Sequence, residues 1–385
     1  MEAILKNHYM KYIGVYIFSY LSIGVLFPLI GQYLSEAGYS GTQIGTVTAS
    51  ATAIGIFSAP LWGYIYEGKN RSIKLLCSLY IIAAILVASL SFVDNYFLFL
   101  GIYILAFFFE SPIRPLNDAM TLNSGHGFGK IRKWGAIGFG AGVFFAGQIA
   151  TKIGLVSIFG IYSVTLLISM GFVFFIIKED KELSYYDNKR EKIASGSIKM
   201  LLKNKKYLSI LMCAFFINGT IMAHNTYFGF LFIEGGGTIA GIGIALLLMV
   251  FSEFPVMAYS DKIGLKFSME KLILFAMVLS MARFLWYGMG PSSELLTITF
   301  FMQGIVNGLA LINLMKYIVK SVEPSSINSA VTLYAAVSSN ASSIFCLFIG
   351  GVLMDIYGAD SVYLFFAGMN AIGITIYIFS GRYKG

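Results

Sequence analysis

Charge is what this chain most lacks. Only 12% of its 385 residues are Asp, Glu, Lys or Arg, against about a quarter in soluble domains. With 57% apolar residues and a mean hydropathy of +0.78, water cannot be the solvent for most of the surface, which excludes an ordinary soluble domain. Cysteine is scarce as well. Cys77, Cys213 and Cys346 are odd in number, far apart and each inside an apolar run, which argues against a disulfide framework or a metal knuckle and for packing roles. Catalytic signatures are missing too: there is no HExxH, no GxSxG, no phosphate-binding glycine loop with Lys and no Cys or His ligand cluster. The chain is therefore not expected to be an enzyme or to need a cofactor or metal.

What is abundant is apolar runs of membrane length. A helix needs about 20 mainly apolar residues to cross the hydrocarbon core, and twelve such stretches are expected at 10–34, 43–66, 72–92, 96–120, 132–151, 155–178, 207–233, 239–260, 268–289, 294–318, 327–351 and 359–381. The first is too long for a signal-peptide core and has no small-residue cleavage site, so it is read as retained. Of the 27 Lys and Arg, Arg114, Arg132 and Arg283 fall in or near spans, Lys152 lies on one side, and the others lie on the opposite side. Positive charge accumulates in cytoplasmic loops, so both termini are expected in the cytoplasm of a multi-pass protein of the cell membrane. The net charge of +8 is spread along those flanks instead of forming one basic patch, so nucleic acid is not an expected partner.

The one long polar stretch, 179–206, separates six spans from six. The expected organisation is an N-terminal bundle over 1–178, a cytoplasmic linker over 179–206 and a C-terminal bundle over 207–385. A repeat supports it. "GYIYEGKNR" after the second span and "MAYSDKIGLK" after the eighth are both acidic-then-basic turns, with Glu67 and Asp261 about half a chain apart. An acidic residue at a helix end beside Lys or Arg can form a charged latch between helices, and a plain basic loop is the alternative.

Ionisable groups inside a span cost on the order of 2.5 to 3.5 kcal/mol on insertion scales, so each is a functional candidate. The fourth span holds Glu110, Arg114 and Asp118 at i, i+4 and i+8, along one helix face. Pro112 and Pro115 interrupt the same stretch, which predicts a kinked helix lining a wet cavity. A structural ion-pair ladder is the alternative reading for Glu110 and Arg114. Farther on, His224, Glu253 and Arg283 lie in the seventh, eighth and ninth spans, and a carboxyl poised between burial and a nearby guanidinium can load and release a proton. His224 suits either a titrating relay or a neutral packing role. Gln303, Asn307, Asn313 and Asn340 are candidates for cavity or helix contacts, and Gly138 with Gly142, like Gly237 with Gly241, forms a small-residue stripe for close helix approach.

The two turns resemble the signature loop of the major facilitator superfamily. The copy with Asp261, Lys262, Gly264 and Lys266 fits better than the copy with Glu67 and Arg71, where Glu67 replaces the usual Asp, Gly68 a basic residue and Asn70 a glycine. "PLNDA", "FGKIRKWGAIGF", "HNTYFGF", "SEFP" and "MVLSMARFLWYG" extend the resemblance to the lactose permease and phenylpropionate permease subfamily. The resemblance implies an all-α fold of twelve transmembrane helices in two pseudo-symmetric bundles. It implies that Asp118 and Arg132 form a substrate-binding pair, and that Phe139 stands where the lactose permease stacks a tryptophan on sugar. Arg114 has no counterpart in that pattern, and an extra cation would favour an anionic solute. His224, Asn225 and Tyr227 match the phenylpropionate branch. Gln303 and Val306 replace the lactose permease's His and Glu proton residues, so its particular proton route is not expected here.

The implied activity is proton-coupled symport of a small polar organic solute by alternating access. The solute is a sugar, oligosaccharide or nucleoside on one side of the ledger, or an aromatic or other organic acid on the other. Asp118, Arg132, Phe139, Arg114, Glu110, Asn307 and Gln303 are the candidate solute ligands. Glu253, biased by Arg283 and His224, is the candidate coupling carboxyl, with Asp118 second. A proton-coupled exporter of drugs or metabolites is the alternative, and a membrane enzyme or non-transporting receptor a remote one. The expected partners are solute, protons and lipid, with the chain acting as a monomer.

Overall fold

A computed structural model of the chain describes residues 2–68, 73–122, 124, 128–180, 200–323 and 326–381. Among these residues there are helices and turns and no strand. In hydrocarbon no water is available to satisfy backbone groups, and a helix satisfies them internally.

In chain order the helices are α1 (Glu2–Leu26), α2 (Ile30–Glu36), α3 (Gly41–Gly68), α4 (Ile73–Ser89), α5 (Tyr96–Glu110), α6 (Ile113–Leu122), α7 (Phe128–Ile153) and α8 (Ser157–Asp180). There follow α9 (Lys205–Glu234), α10 (Ile239–Ala258), α11 (Ser260–Lys266), α12 (Met269–Tyr287), α13 (Ser293–Thr299), α14 (Phe301–Ser321), α15 (Ile327–Tyr334), α16 (Ser342–Tyr357) and α17 (Ala359–Phe379). Short helices join into longer spans, and among the described residues eleven candidate spans are long and apolar enough to cross a membrane. The remaining expected span, 268–289, is α12, whose apolar run is diluted by Glu270, Lys271 and Arg283.

Proline decides where two spans break. The first stops at Leu26 and resumes at Ile30, with Pro28 between. The fourth stops at Glu110 and resumes at Ile113, across Pro112. Pro115 then falls in the first turn of α6, where an N–H would have no helical acceptor anyway. A π-helical turn, Ala335–Ala341, interrupts the eleventh span, a distortion that often accompanies functional positions.

The chain forms two compact units. The first comprises Met1–Tyr39, Ser50–Asp187 and Ile239–Leu247, and the second Ser40–Ala49, Asn188–Thr238 and Leu248–Gly385. In the first unit α1 packs on α7 and α8, and α4 on α5 and α8. The α1–α7 seam depends on glycine: Gly138 faces the Ile17 carbonyl, Gly142 the Leu21 carbonyl and Gly24 the Phe139 carbonyl, and a Cβ at any of them would collide with that backbone. Gly147 and Gly243 make a similar approach between α7 and the start of α10.

In the second unit α9 packs on α16 and α17, and α12 on α14 and α17. The first residues of α3 lie here against α16, where Gly41 and Gly351 touch backbone to backbone. The Asp355 carboxylate accepts from the Gly41 amide, the Thr42 amide at 2.8 Å and the Thr42 hydroxyl at 2.5 Å, capping the N-terminus of α3. All three cysteines are free thiols, Cys213 and Cys346 buried and Cys77 half-buried.

Candidate solute site

Each unit brings polar side chains together within its apolar helices. In the first unit the close α1–α7 seam sets Tyr16 and Tyr20, one turn apart on α1, beside groups from α6 and α7. The Tyr16 hydroxyl donates to Asp118 Oδ1 at 2.5 Å. The two tyrosine rings stack with centroids 6.0 Å apart, and the Arg132 guanidinium lies 4.4 Å from the centre of the Tyr20 ring. Asp118 and Arg132 are both half-buried.

Asp118 and Arg132 lie against the same pair of stacked tyrosines, the carboxylate on the Tyr16 hydroxyl and the guanidinium on the Tyr20 face. Both charged groups therefore keep hydrogen-bonding capacity for a third party.

Eight residues before Asp118, Glu110 is 2% exposed. Its Oε1 lies 3.6 Å from Arg114 Nε, while the Arg114 side chain is 38% exposed. Glu110 Oε2 has no hydrogen-bond partner, and neither do the hydroxyls of Tyr103 and Tyr162, which lie within electrostatic reach of it. Asn117 donates to the Tyr80 hydroxyl at 2.7 Å, and that hydroxyl is 3.3 Å from Ser169. Phe139 is half-buried on α7. Tyr16, Tyr20, Tyr103 and Tyr162 were not singled out from sequence. The i, i+4 spacing of Tyr16 and Tyr20, with Gly24 a turn farther on, was the available signal.

In the second unit Gln303 Nε2 donates to Asn307 Oδ1 at 2.9 Å, and Asn307 Nδ2 donates to Glu253 Oε2 at 3.5 Å. These three form a chain between α14 and α10. It becomes possible because Gly304 lets α14 approach the Met249 carbonyl and Ser252 on α10. Glu253 is half-buried, and Gln303 is fully buried.

Arg283 does not join Glu253. It is 1% exposed on α12, and its Nη1 lies 3.4 Å from His224 Nε2. Its guanidinium carbon sits 4.3 Å and 5.0 Å from the Phe284 and Tyr287 ring centres. His224 Nδ1 is 3.1 Å from the Tyr363 hydroxyl. An arginine can only donate, so Nε2 accepts and the proton of a neutral imidazole is left on Nδ1 for Tyr363.

Of the loop residues, Gly264 and Lys266 lie on α11, and a Cβ at Gly264 would meet open space. Arg71 and the side chains of Glu67, Asp261 and Lys262 lie outside the described residues.

Comparison with known proteins bears on this geometry. The MFS_1 like family matches residues 9–365. The chain belongs to that family. Within the MFS_1 like family, the maltose permease of Geobacillus stearothermophilus is 30% identical over 367 residues, covering 94% of this chain and 91% of that protein. The probable 3-phenylpropionic acid transporter of Escherichia coli (strain K12) is 24% identical over 289 residues, covering 73% of each. A crystal structure of the nucleoside transporter NupG superposes with a TM-score of 0.81 at 18% identity, covering 97% of this chain and 98% of that one. At that identity the likeness concerns the fold alone. This MFS_1 like chain is therefore a multi-pass membrane transporter of the major facilitator fold and not an enzyme.

Proposed function

We propose that the protein is a proton-coupled symporter taking up a polyhydroxylated solute, a sugar or nucleoside, across the cytoplasmic membrane. The observation that carries this reading is the arrangement of Asp118, Tyr16, Tyr20 and Arg132. A carboxylate accepts from sugar hydroxyls, a guanidinium donates to them, and a stacked aromatic pair offers a flat apolar platform for a ring. The maltose permease relative supports the sugar side of the reading.

In this reading Phe139 and Arg114 line the same site. The 1–178 and 207–385 halves act as the two bundles of alternating access, linked by 179–206, most of which lies outside the described residues. Glu253 is the coupling carboxyl, and the hydrogen bond it accepts from Asn307, which in turn accepts from Gln303, supplies a polar route to it. The loops carrying Glu67 and Arg71, and Asp261 to Lys266, serve as gates on the side where both termini lie. The working unit is a monomer in lipid.

The test is external pH in a lightly buffered suspension of de-energised cells expressing the protein, as maltose, other sugars and nucleosides are added in turn. Alkalinisation that is absent from an Asp118→Asn control is the expected result. No pH change with any solute would reject proton symport and point to an exporter or another coupling ion.

A further inference from the structure

Arg114 is one cation between two acids. Glu110 precedes it by four residues and Asp118 follows it by four, so its guanidinium can serve either carboxylate. In the structure it serves Glu110: Nε lies 3.6 Å from Oε1, while Asp118 accepts from the Tyr16 hydroxyl. The three groups do not share one rigid element. Arg114 and Asp118 both stand on α6, whereas Glu110 is the last residue of α5, across the break at Ser111 and Pro112. Proline has no N–H with which to bridge that joint. A change of angle there moves Glu110 away from Arg114 and leaves Arg114 beside Asp118.

The two acids differ in what they keep without the guanidinium. Asp118 is half-buried and retains Tyr16. Glu110 is 2% exposed, and among the described residues its Oε2 has no hydrogen-bond partner. The titratable groups within electrostatic reach of it are Arg114 on α6, Tyr20 on α1, Tyr80 on α4, Tyr103 on α5 and Tyr162 on α8. Arg114 is the cation among these, and Asp118 and Arg132 lie beyond them against Tyr16 and Tyr20. A carboxylate buried without a cation is so costly that it takes up a proton instead.

We propose that Glu110 is a proton-binding carboxyl governed by Arg114, additional to Glu253. With the guanidinium against it, Glu110 is ionised. When Asp118 or the solute draws Arg114 away, Glu110 takes one proton from water at Arg114, whose side chain is 38% exposed, and the proton leaves when Arg114 returns. Protonation and solute binding are thereby linked although the solute never touches Glu110. Arg114 is the positioning residue of this exchange. The proposal rests on reading Asp118 and Arg114 as part of the solute site.

The test is infrared difference spectroscopy on the purified full chain in detergent, titrated with acid and reading the carbonyl band of protonated carboxyls. The part of the band lost in Glu110→Gln belongs to Glu110. Should that variant not fold, the same part is assigned by comparing Arg114→Leu with the double variant Glu110→Gln, Arg114→Leu. In Tyr16→Phe, Asp118 loses its donor and competes better for Arg114. The Glu110 midpoint is then expected at higher pH by about one unit, a tenfold gain in proton affinity. Adding Asp118→Asn to that variant removes the competing charge and should bring the midpoint back to that of the wild type or below it.

Maltose is the solute probe. At constant pH it should raise the Glu110 band saturably in the wild type and not in Arg114→Leu, where Glu110 is already protonated. A purely structural ion pair would show neither the Tyr16→Phe shift nor the response to maltose. The absence of any band that depends on Glu110, or a midpoint unmoved in Tyr16→Phe, overturns the proposal. So does maltose that raises the melting midpoint of the protein and leaves the band unchanged. Maltose that changes neither would sink the sugar reading, and the Tyr16→Phe shift would then decide this proposal alone.

Discussion

The two polar clusters sit on the same kind of scaffold, yet they balance charge differently. In the first cluster Glu110 is partnered by Arg114, Asp118 by the Tyr16 hydroxyl and Arg132 by the Tyr20 ring. In the second, the Glu253 carboxylate accepts from the Asn307 amide, and the Arg283 guanidinium lies against His224, Phe284 and Tyr287. Similar helical packing thus accommodates buried charge in two ways, because the arrangement depends on a few side chains and not on the fold.

Several substitutions would break or sharpen this contrast. The largest effect is expected at the seam on which the first cluster depends. Gly138→Val drives a branched side chain into the Ile17 carbonyl, separates α1 from α7 and should abolish folded protein, as read by yield and monodispersity in detergent. The equivalent change at Gly160, where a Cβ would meet nothing, should leave yield near wild type.

Next in size is Asp118→Asn, which removes the acceptor of the Tyr16 hydroxyl. Uptake of labelled sugar should fall by about a hundredfold or more, as expected for a charge-assisted contact worth about 3 kcal/mol, while yield is unchanged. An uptake rate within a factor of two of wild type would remove Asp118 from the site.

A smaller effect, on stability, is expected at Glu110. Glu110→Gln leaves Arg114 without its ion partner, and the half-exposed guanidinium limits the loss to about 1–2 kcal/mol. Measured as a fall in melting temperature, it should be largely restored in the double variant Glu110→Gln, Arg114→Leu. Failure of the second change to restore stability would mean that the pair is not the reason for the loss. The smallest effect belongs to Tyr16→Phe, which keeps the ring stack and deletes one hydroxyl. The half-saturating sugar concentration should rise several-fold, in keeping with about 1 kcal/mol for one hydrogen bond, with the maximum rate little changed.

Much of the architecture was readable from the chain. The expected first span, 10–34, lies within the observed Tyr9–Glu36, and 207–233 within Lys205–Glu234. The break in the fourth span follows from Pro112, whose effect on a helix is local and geometric. The break at Pro28 has the same cause and was not anticipated, since an apolar run hides it. The span at 268–289 was expected despite its three charges, and α12 occupies it.

The site was less readable. Asp118 and Arg132 were candidates by residue type and resemblance, whereas the tyrosines they rest on were not, because Tyr16 lies 102 positions from Asp118 in the chain. The Gln303–Asn307 contact was within reach, being one helical turn. Its extension to Glu253 on another helix was not.

What the sequence by itself determined, then, is everything set by local periodicity and cost: which stretches enter hydrocarbon, where proline stops a helix, and which ionisable groups are too expensive to be accidental. Only the tertiary structure decided who meets whom. Partners across helices depend on the rotation and depth of each helix against its neighbour, and here those are set by backbone contacts at Gly24, Gly138 and Gly142 in one unit and Gly304 in the other. A glycine in a sequence looks the same whether or not another helix lies against it. The contact that turns Tyr16 toward Asp118, or Arg283 toward His224, therefore becomes visible only once the helices are packed.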